Sequence, residues 1–212
     1  MAKVYFISGL GADKRAFSFL DLSFCEPVFI DWIKPFEKES LKSYAWRLRK
    51  QMPEEHPTVA GVSFGGMLAT EMAKDDKLTN VIIIASNKSS QEFPAYLRVG
   101  KYFPVYNWLP EKLIKNKGLL NWVLGVEKDE QRKLMADIIA DTDPYFVKWA
   151  IGAILRWKET SMPTNVKHIH GTADRLLPHR LTKADHTIEG GTHIMTLYKH
   201  KEISVLLRKL IA

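Results

Sequence analysis

The feature that most limits how this chain can fold is a rhythm, in which short apolar runs alternate with segments of helical periodicity. Residues 3–7 (Lys-Val-Tyr-Phe-Ile), 27–30 (Pro-Val-Phe-Ile), 58–62 (Thr-Val-Ala-Gly-Val) and 81–85 (Val-Ile-Ile-Ile-Ala) have the length and the β-branched or aromatic content of strands. None of them alternates polar with apolar residues. Each is therefore expected to be buried on both faces, as in a parallel sheet covered by helices. Between them, a short helix is expected over 14–20 with Asp13 as its N-cap. A second should run from an N-cap at Ser40 to about Met52, because Leu41, Tyr44, Ala45, Leu48 and Met52 share one helical face. A third is expected over 64–74.

The rhythm stops near residue 89. From there to 160 the sequence shows helical periodicity and no strand, cut by Pro94, Pro104, Pro110, Gly118 and Gly125. Pro144 suits the first position of the last helix in this stretch. Aromatic residues concentrate here: Phe93, Tyr96, Tyr102, Phe103, Tyr106, Trp108, Trp122, Tyr145, Phe146, Trp149 and Trp157. Any one of them is expected to be core packing before it is pocket lining. Strands then resume at 166–170 and, more briefly, at 184–188. An amphipathic helix from His193 to the C-terminus should bury Ile194, Leu197, Ile203, Leu206, Leu207 and Leu210. The expected organisation is an α/β core made of residues 1–88 and 161–212, interrupted by a helical cap insertion at 89–160.

Composition excludes several classes of function. A hydrophobic share of 46% in 212 residues supplies a core for one domain. No run approaches the roughly 18 apolar residues of a membrane span, and the N-terminus lacks a signal-peptide core. The one cysteine, Cys25, has no internal partner, and beside the 27–30 run it reads as a buried structural thiol. A soluble, cytoplasmic protein is the expectation, with no membrane partner. The net charge of +7 comes from 31 Lys and Arg scattered among 24 acids, so a solvated surface is expected and no nucleic-acid partner.

One set of residues points to chemistry. A hydroxyl nucleophile needs a base, a group that orients the base, and donors for the oxyanion that develops. Ser63 lies in Gly-x-Ser-x-Gly between a buried strand and a helix, where flanking glycines allow a sharp turn that projects the serine from the sheet edge. Asp174, in His-Gly-Thr-Ala-Asp, follows the strand at 166–170, and the loop after the preceding core strand, Ser86-Asn87-Lys88, holds no competing carboxylate. His193, in Gly-Gly-Thr-His, completes the order Ser, Asp, His. The other histidines fit less well: His56 precedes the nucleophile's strand, His168 and His170 lie in or at the end of a strand, and His179, His186 and His200 sit in polar segments. Backbone N–H groups of Phe64 and of Leu10, in Ser8-Gly9-Leu10-Gly11, are the candidate oxyanion donors.

These segments, in this order, resemble the nucleophile, acid, base and oxyanion motifs of the α/β-hydrolase superfamily. The likeness spans about 3–86 and 164–212. It departs at Ser8, where the family's oxyanion loop usually has histidine, and at the start of the chain, where two antiparallel strands common in the family have no counterpart. A minimal, mostly parallel sheet of about six strands, with helices on both faces and an inserted cap, is therefore expected. The resemblance implies a serine hydrolase acting through Ser63, Asp174 and His193 on a small-molecule substrate with an apolar part, most simply a small to medium carboxylic ester. It implies no metal and no organic cofactor, and no His-Glu-x-x-His spacing is present. Serine at 63 argues against the dehalogenase and epoxide hydrolase branches, which use aspartate there. Thioester, peptide or carbon–carbon bond hydrolysis, and acyl transfer, remain open with the same triad. A ligand sensor that keeps the pocket is the alternative of another class.

Overall fold

The computed structural model describes residues 1–75, 79–100, 102, 124–126 and 129–211. Its centre is a six-stranded sheet in the order β2-β1-β3-β4-β5-β6. The strands are β1 (Ala2–Ile7), β2 (Cys25–Phe29), β3 (Thr58–Val62), β4 (Asn80–Ile84), β5 (Val166–Gly171) and β6 (His186–Ile188). Every pairing is parallel. Around the sheet lie α1 (Leu41–Arg49), α2 (Phe64–Asp75), α3 (Ala95–Gly100), α4 (Asp129–Asp141), α5 (Pro144–Arg156), α6 (Met195–Tyr198) and α7 (His200–Ile211).

The strands are apolar throughout because both faces are covered. Tyr5, Ile7, Val59, Val81, Ile83 and Val166 face one cluster with α1 and α2. Their neighbours Val4, Phe6, Ala60, Val62, Ile82, Ile84 and Ile169 face the opposite cluster, closed by Ile203 and Leu207 of α7. Each strand thus splits its side chains between two cores at period two. Cys25 is buried in the second cluster, its thiol directed at the Leu22 carbonyl and its pKa pushed up by burial.

Strand order matters for the site. From β1 the chain crosses to β2 on one side, whereas from β3 it crosses to β4 on the other. The loops after β1 and β3 therefore diverge, and a crevice opens between them at the carboxyl ends of the strands, where open α/β sheets bind ligands.

Three expectations change in detail. The helix expected over 14–20 is only a 3-10 turn, Lys14–Phe17, although Asp13 does cap it by accepting from the Arg15 N–H. Such a short run cannot offset the cost of helix nucleation, and Phe17 and Leu20 are held by burial on the sheet instead. The last strand is shorter than 184–188, because the Asp185 side chain turns to accept from the His168 N–H and from Lys88. The C-terminal helix is split into α6 and α7 at Lys199, and His193 lies in the turn ahead of both.

Of the aromatics in 89–160, Phe93, Phe146, Trp149 and Trp157 are buried, in the same cluster as α1 and α2, and Tyr96, Tyr102 and Tyr145 are exposed. Phe103, Tyr106, Trp108 and Trp122 lie outside the described residues. Helix α5 has two apolar stripes. Phe146, Trp149, Ala150 and Ala153 pack into the core, while Val147, Ile151 and Ile154, spaced for the adjoining face, line a cavity. The indole N–H of Trp149 donates to the Glu39 carbonyl at 3.2 Å, and that of Trp157 to the buried Glu71 carboxylate at 2.7 Å.

Candidate active site

Ser63 ends β3 in a left-handed backbone conformation, φ 52°. A non-glycine residue there is strained, and strain persists only where surroundings over-determine it. Here they do. The Ser63 N–H donates to the Ile84 carbonyl at 2.9 Å, and the Ser63 carbonyl accepts from the Gly66 N–H at 2.9 Å and from the Ser86 hydroxyl at 2.7 Å. The turn also needs its glycines. A Cβ on Gly65 would lie 2.3 Å from the carbonyl oxygens of Ile7 and Ser8, so α2 can approach β1 this closely only without a side chain at that position.

The base and acid arrive from the far half of the chain. Ala173 N–H donates to the Gly191 carbonyl at 2.9 Å, joining the loop after β5 to the loop after β6. A Cβ on Gly171 would lie 2.1 Å from the Gly191 oxygen, so this close approach also depends on glycine. It brings the His193 Nδ1 to 2.8 Å from Asp174 Oδ2, and the His193 Nε2 to 2.8 Å from Ser63 Oγ. The other oxygen of Asp174 accepts from the Leu176 and Leu177 N–H groups at 2.9 and 2.8 Å. Burial opposes ionisation of Asp174, but the His193 imidazole, the Leu177 N–H and His170 outweigh it and hold its pKa below the ordinary carboxylate value. The carboxylate acceptor dictates that His193 carries its proton on Nδ1, leaving Nε2 free to take the serine proton.

Leu10 and Phe64 both line the crevice beside Ser63, and no described residue accepts a hydrogen bond from either backbone N–H. Ser8 supports the Leu10 loop in its own way. Its buried hydroxyl donates to the Ala12 carbonyl at 2.8 Å, and the Trp32 indole N–H meets the same oxygen at 2.6 Å. Thr142, just after α4, reaches the Gly11 carbonyl at 2.6 Å and pins the loop from above.

Above Ser63 and His193 opens a cavity of about 470 Å³. Its walls are aliphatic: Leu97 from α3, Met135, Ile138 and Ile139 from α4, Val147, Ile151 and Ile154 from α5, and Leu176, Leu177, Ile194 and Leu197 from the loops and α6. Phe64 is the one Phe, Tyr or Trp among the described lining residues, and of the described aromatics in 89–160 Phe93, Phe146, Trp149 and Trp157 are core and none lines the cavity. Among the described residues, no three His, Cys, Asp or Glu side chains converge as metal ligands, and no helix is long and apolar enough to cross a membrane.

Sequence reasoning missed Ser86, Thr142 and the pair His168 and His170. The first two carry no local signal, since their partners are remote in the chain. The histidine pair did carry one: at i and i+2 in a strand, both imidazoles fall on the same face.

Neither a family model nor a curated protein sequence matches this chain. Solved structures do. A thermophilic esterase from Thermogutta terrifontis is similar with a TM-score of 0.77 at 13% identity, over 100% of this chain and 91% of that one. A carboxylesterase structure from Nitrososphaera gargenis reaches a TM-score of 0.74 at 14% identity, over 99% of this chain and 89% of that one. The enol-lactonase of Burkholderia xenovorans LB400 reaches 0.73 at 12% identity, over 99% and 91%. The chain thus has the α/β-hydrolase fold. Its six parallel strands, flanked by helices on both faces, are the form of that fold it adopts.

Proposed function

We propose that the protein is a serine hydrolase that cleaves small to medium carboxylic esters with an aliphatic acyl or alcohol part. The observation that carries this reading is the unbroken chain of 2.8 Å contacts from Ser63 Oγ through His193 to Asp174, opening directly into an aliphatic cavity. The esterase and lactonase activities named for the structural neighbours agree with it. We also read 89–160 as the cap segment, since α4 and α5 supply much of the cavity wall.

In this mechanism Ser63 Oγ attacks the ester carbonyl as its proton passes to His193 Nε2, and Asp174 stabilises the imidazolium. The oxyanion is held by the Leu10 and Phe64 N–H groups, each worth about 3 kcal/mol at comparable sites. Collapse of the tetrahedral intermediate breaks the bond to the alcohol oxygen, which takes the proton from Nε2. Water then attacks the acyl-serine, giving its proton to Nε2, and the carboxylic acid leaves as Ser63 regains its hydrogen.

The test is labelling with a fluorophosphonate probe and turnover of p-nitrophenyl esters from acetate to decanoate, with Ser63→Ala as control. Labelling and turnover should both occur, and in Ser63→Ala turnover should fall by about 10⁶-fold. Absence of labelling together with no Ser63-dependent turnover would sink the reading. Labelling without ester turnover would redirect it to thioester, peptide or carbon–carbon bond substrates, or to a sensor.

A further inference from the structure

Two buried imidazoles lie behind the acid, in a strand whose other inward positions are apolar. His168 and His170 are both fully buried in β5, with His168 Nε2 2.9 Å from His170 Nδ1 and His170 Nε2 2.7 Å from the Leu177 carbonyl oxygen. A carbonyl can only accept, so His170 must carry a proton on Nε2. In the neutral ring its Nδ1 is then bare and accepts from the Nε2–H of His168. That leaves His168 Nδ1 without a proton, and it is a buried nitrogen with no hydrogen-bond partner among the described residues. The relay therefore has one direction, from His168 through His170 to Leu177. A buried bare acceptor is costly, and apolar residues at both positions would fold without that cost.

The relay ends at the acid. Leu177 gives its N–H to Asp174 Oδ1, while its carbonyl is taken by His170. His170 Nε2 also lies 3.6 Å from Asp174 Oδ2, the oxygen that His193 Nδ1 uses. We propose that His170 is a positioning residue for Asp174: its Nε2–H ties the 174–177 turn to β5 and so keeps the carboxylate on His193. The proposal rests on the triad reading given above. His170 acts as a neutral ring, so it offers Asp174 an N–H dipole and leaves the ion pair to His193. The groups that face the pair favour this state. Burial comes first, and then His170, Lys88 and His179 act against charge on His168, as His193 and His179 do on His170; Asp174 and the Leu177 carbonyl pull the other way on His170, yet its pKa stays lowered. Asp185, paired with Lys88, accepts the His168 backbone N–H.

The experiment compares wild type, His170→Phe and His170→Gln by two readouts. One is the titration of His193 followed by NMR, which needs no substrate; the other is kcat and KM on the best p-nitrophenyl ester. In His170→Phe the untethered carboxylate should support the imidazolium less. The His193 titration should move downward and kcat should fall about tenfold, with KM held within about twofold. His170→Gln, which keeps an N–H near the position of Nε2, should recover most of both. A His170→Phe protein with wild-type kcat and His193 titration overturns the proposal, even if its melting temperature drops. Should that variant not fold, NMR of the wild type decides: a neutral His170 with its proton on Nε2 at pH 7 supports the proposal, whereas an Nδ1–H ring or an imidazolium overturns it. Wild-type protein that turns over no ester would fail the ester reading alone, because the His193 titration still reports on His170.

Discussion

Single residues here hold states that the fold imposes on them. Ser63 keeps a left-handed backbone, and His168 and His170 keep neutral rings inside β5. The rings make stability depend on pH. Their folded pKa values are depressed, so the unfolded chain takes up protons first as the pH falls below about 6.5. Stability is complete above that value and declines as the pH drops from 7 to 5. One such ring contributes at most about 2 kcal/mol of loss by pH 5. Urea unfolding at pH 7 and pH 5 should therefore show a clear drop for wild type and a smaller drop for His168→Leu. Equal drops would mean that His168 is protonated in the folded protein.

At the scale of elements, the site depends on how closely α2 approaches β1. Gly65→Ala would set a methyl against two backbone carbonyls that cannot move aside separately. It should destabilise by about 3 kcal/mol, the upper end for overpacking. It should also lower kcat, because the shift spreads Ser63 from the Leu10 loop. Thermal unfolding and ester kinetics on the same preparation would check both, and unchanged kcat would show that the two loops move independently. Helix α5 shows where reading an element from its sequence stops. Its existence and Pro144 at its start were legible locally. That it carries two apolar stripes, one for the core and one for the cavity, depends on the rotation of the helix against α1 and α2. Long-range packing alone sets that rotation.

For the whole molecule, the cavity decides what can be bound. Its aliphatic wall over Ser63 is assembled, among the described residues, from α3, α4, α5 and α6. Ile151→Trp, on the cavity stripe of α5, should shorten the preferred acyl chain in the p-nitrophenyl series and leave acetate turnover within about twofold, since an added ring takes volume away from the reacting atoms. A chain-length optimum that does not move would place the acyl chain elsewhere.

The amino-acid sequence by itself determined the six strand positions, the parallel character of the sheet, and the meeting of Ser63, Asp174 and His193 as an ordered set. These follow from local properties: uninterrupted apolar runs, glycines at turns, and polar residues just past strand ends. Only the tertiary structure decided which of the described aromatics in 89–160 are core, namely Phe93, Phe146, Trp149 and Trp157, and that aliphatic residues line the cavity. It also decided that Ser8 steadies the Leu10 loop through the Ala12 carbonyl, and that His168 and His170 stand behind Asp174. The physical reason is the same in each case. What a side chain touches across the fold depends on partners far away in the chain, and no local pattern encodes them.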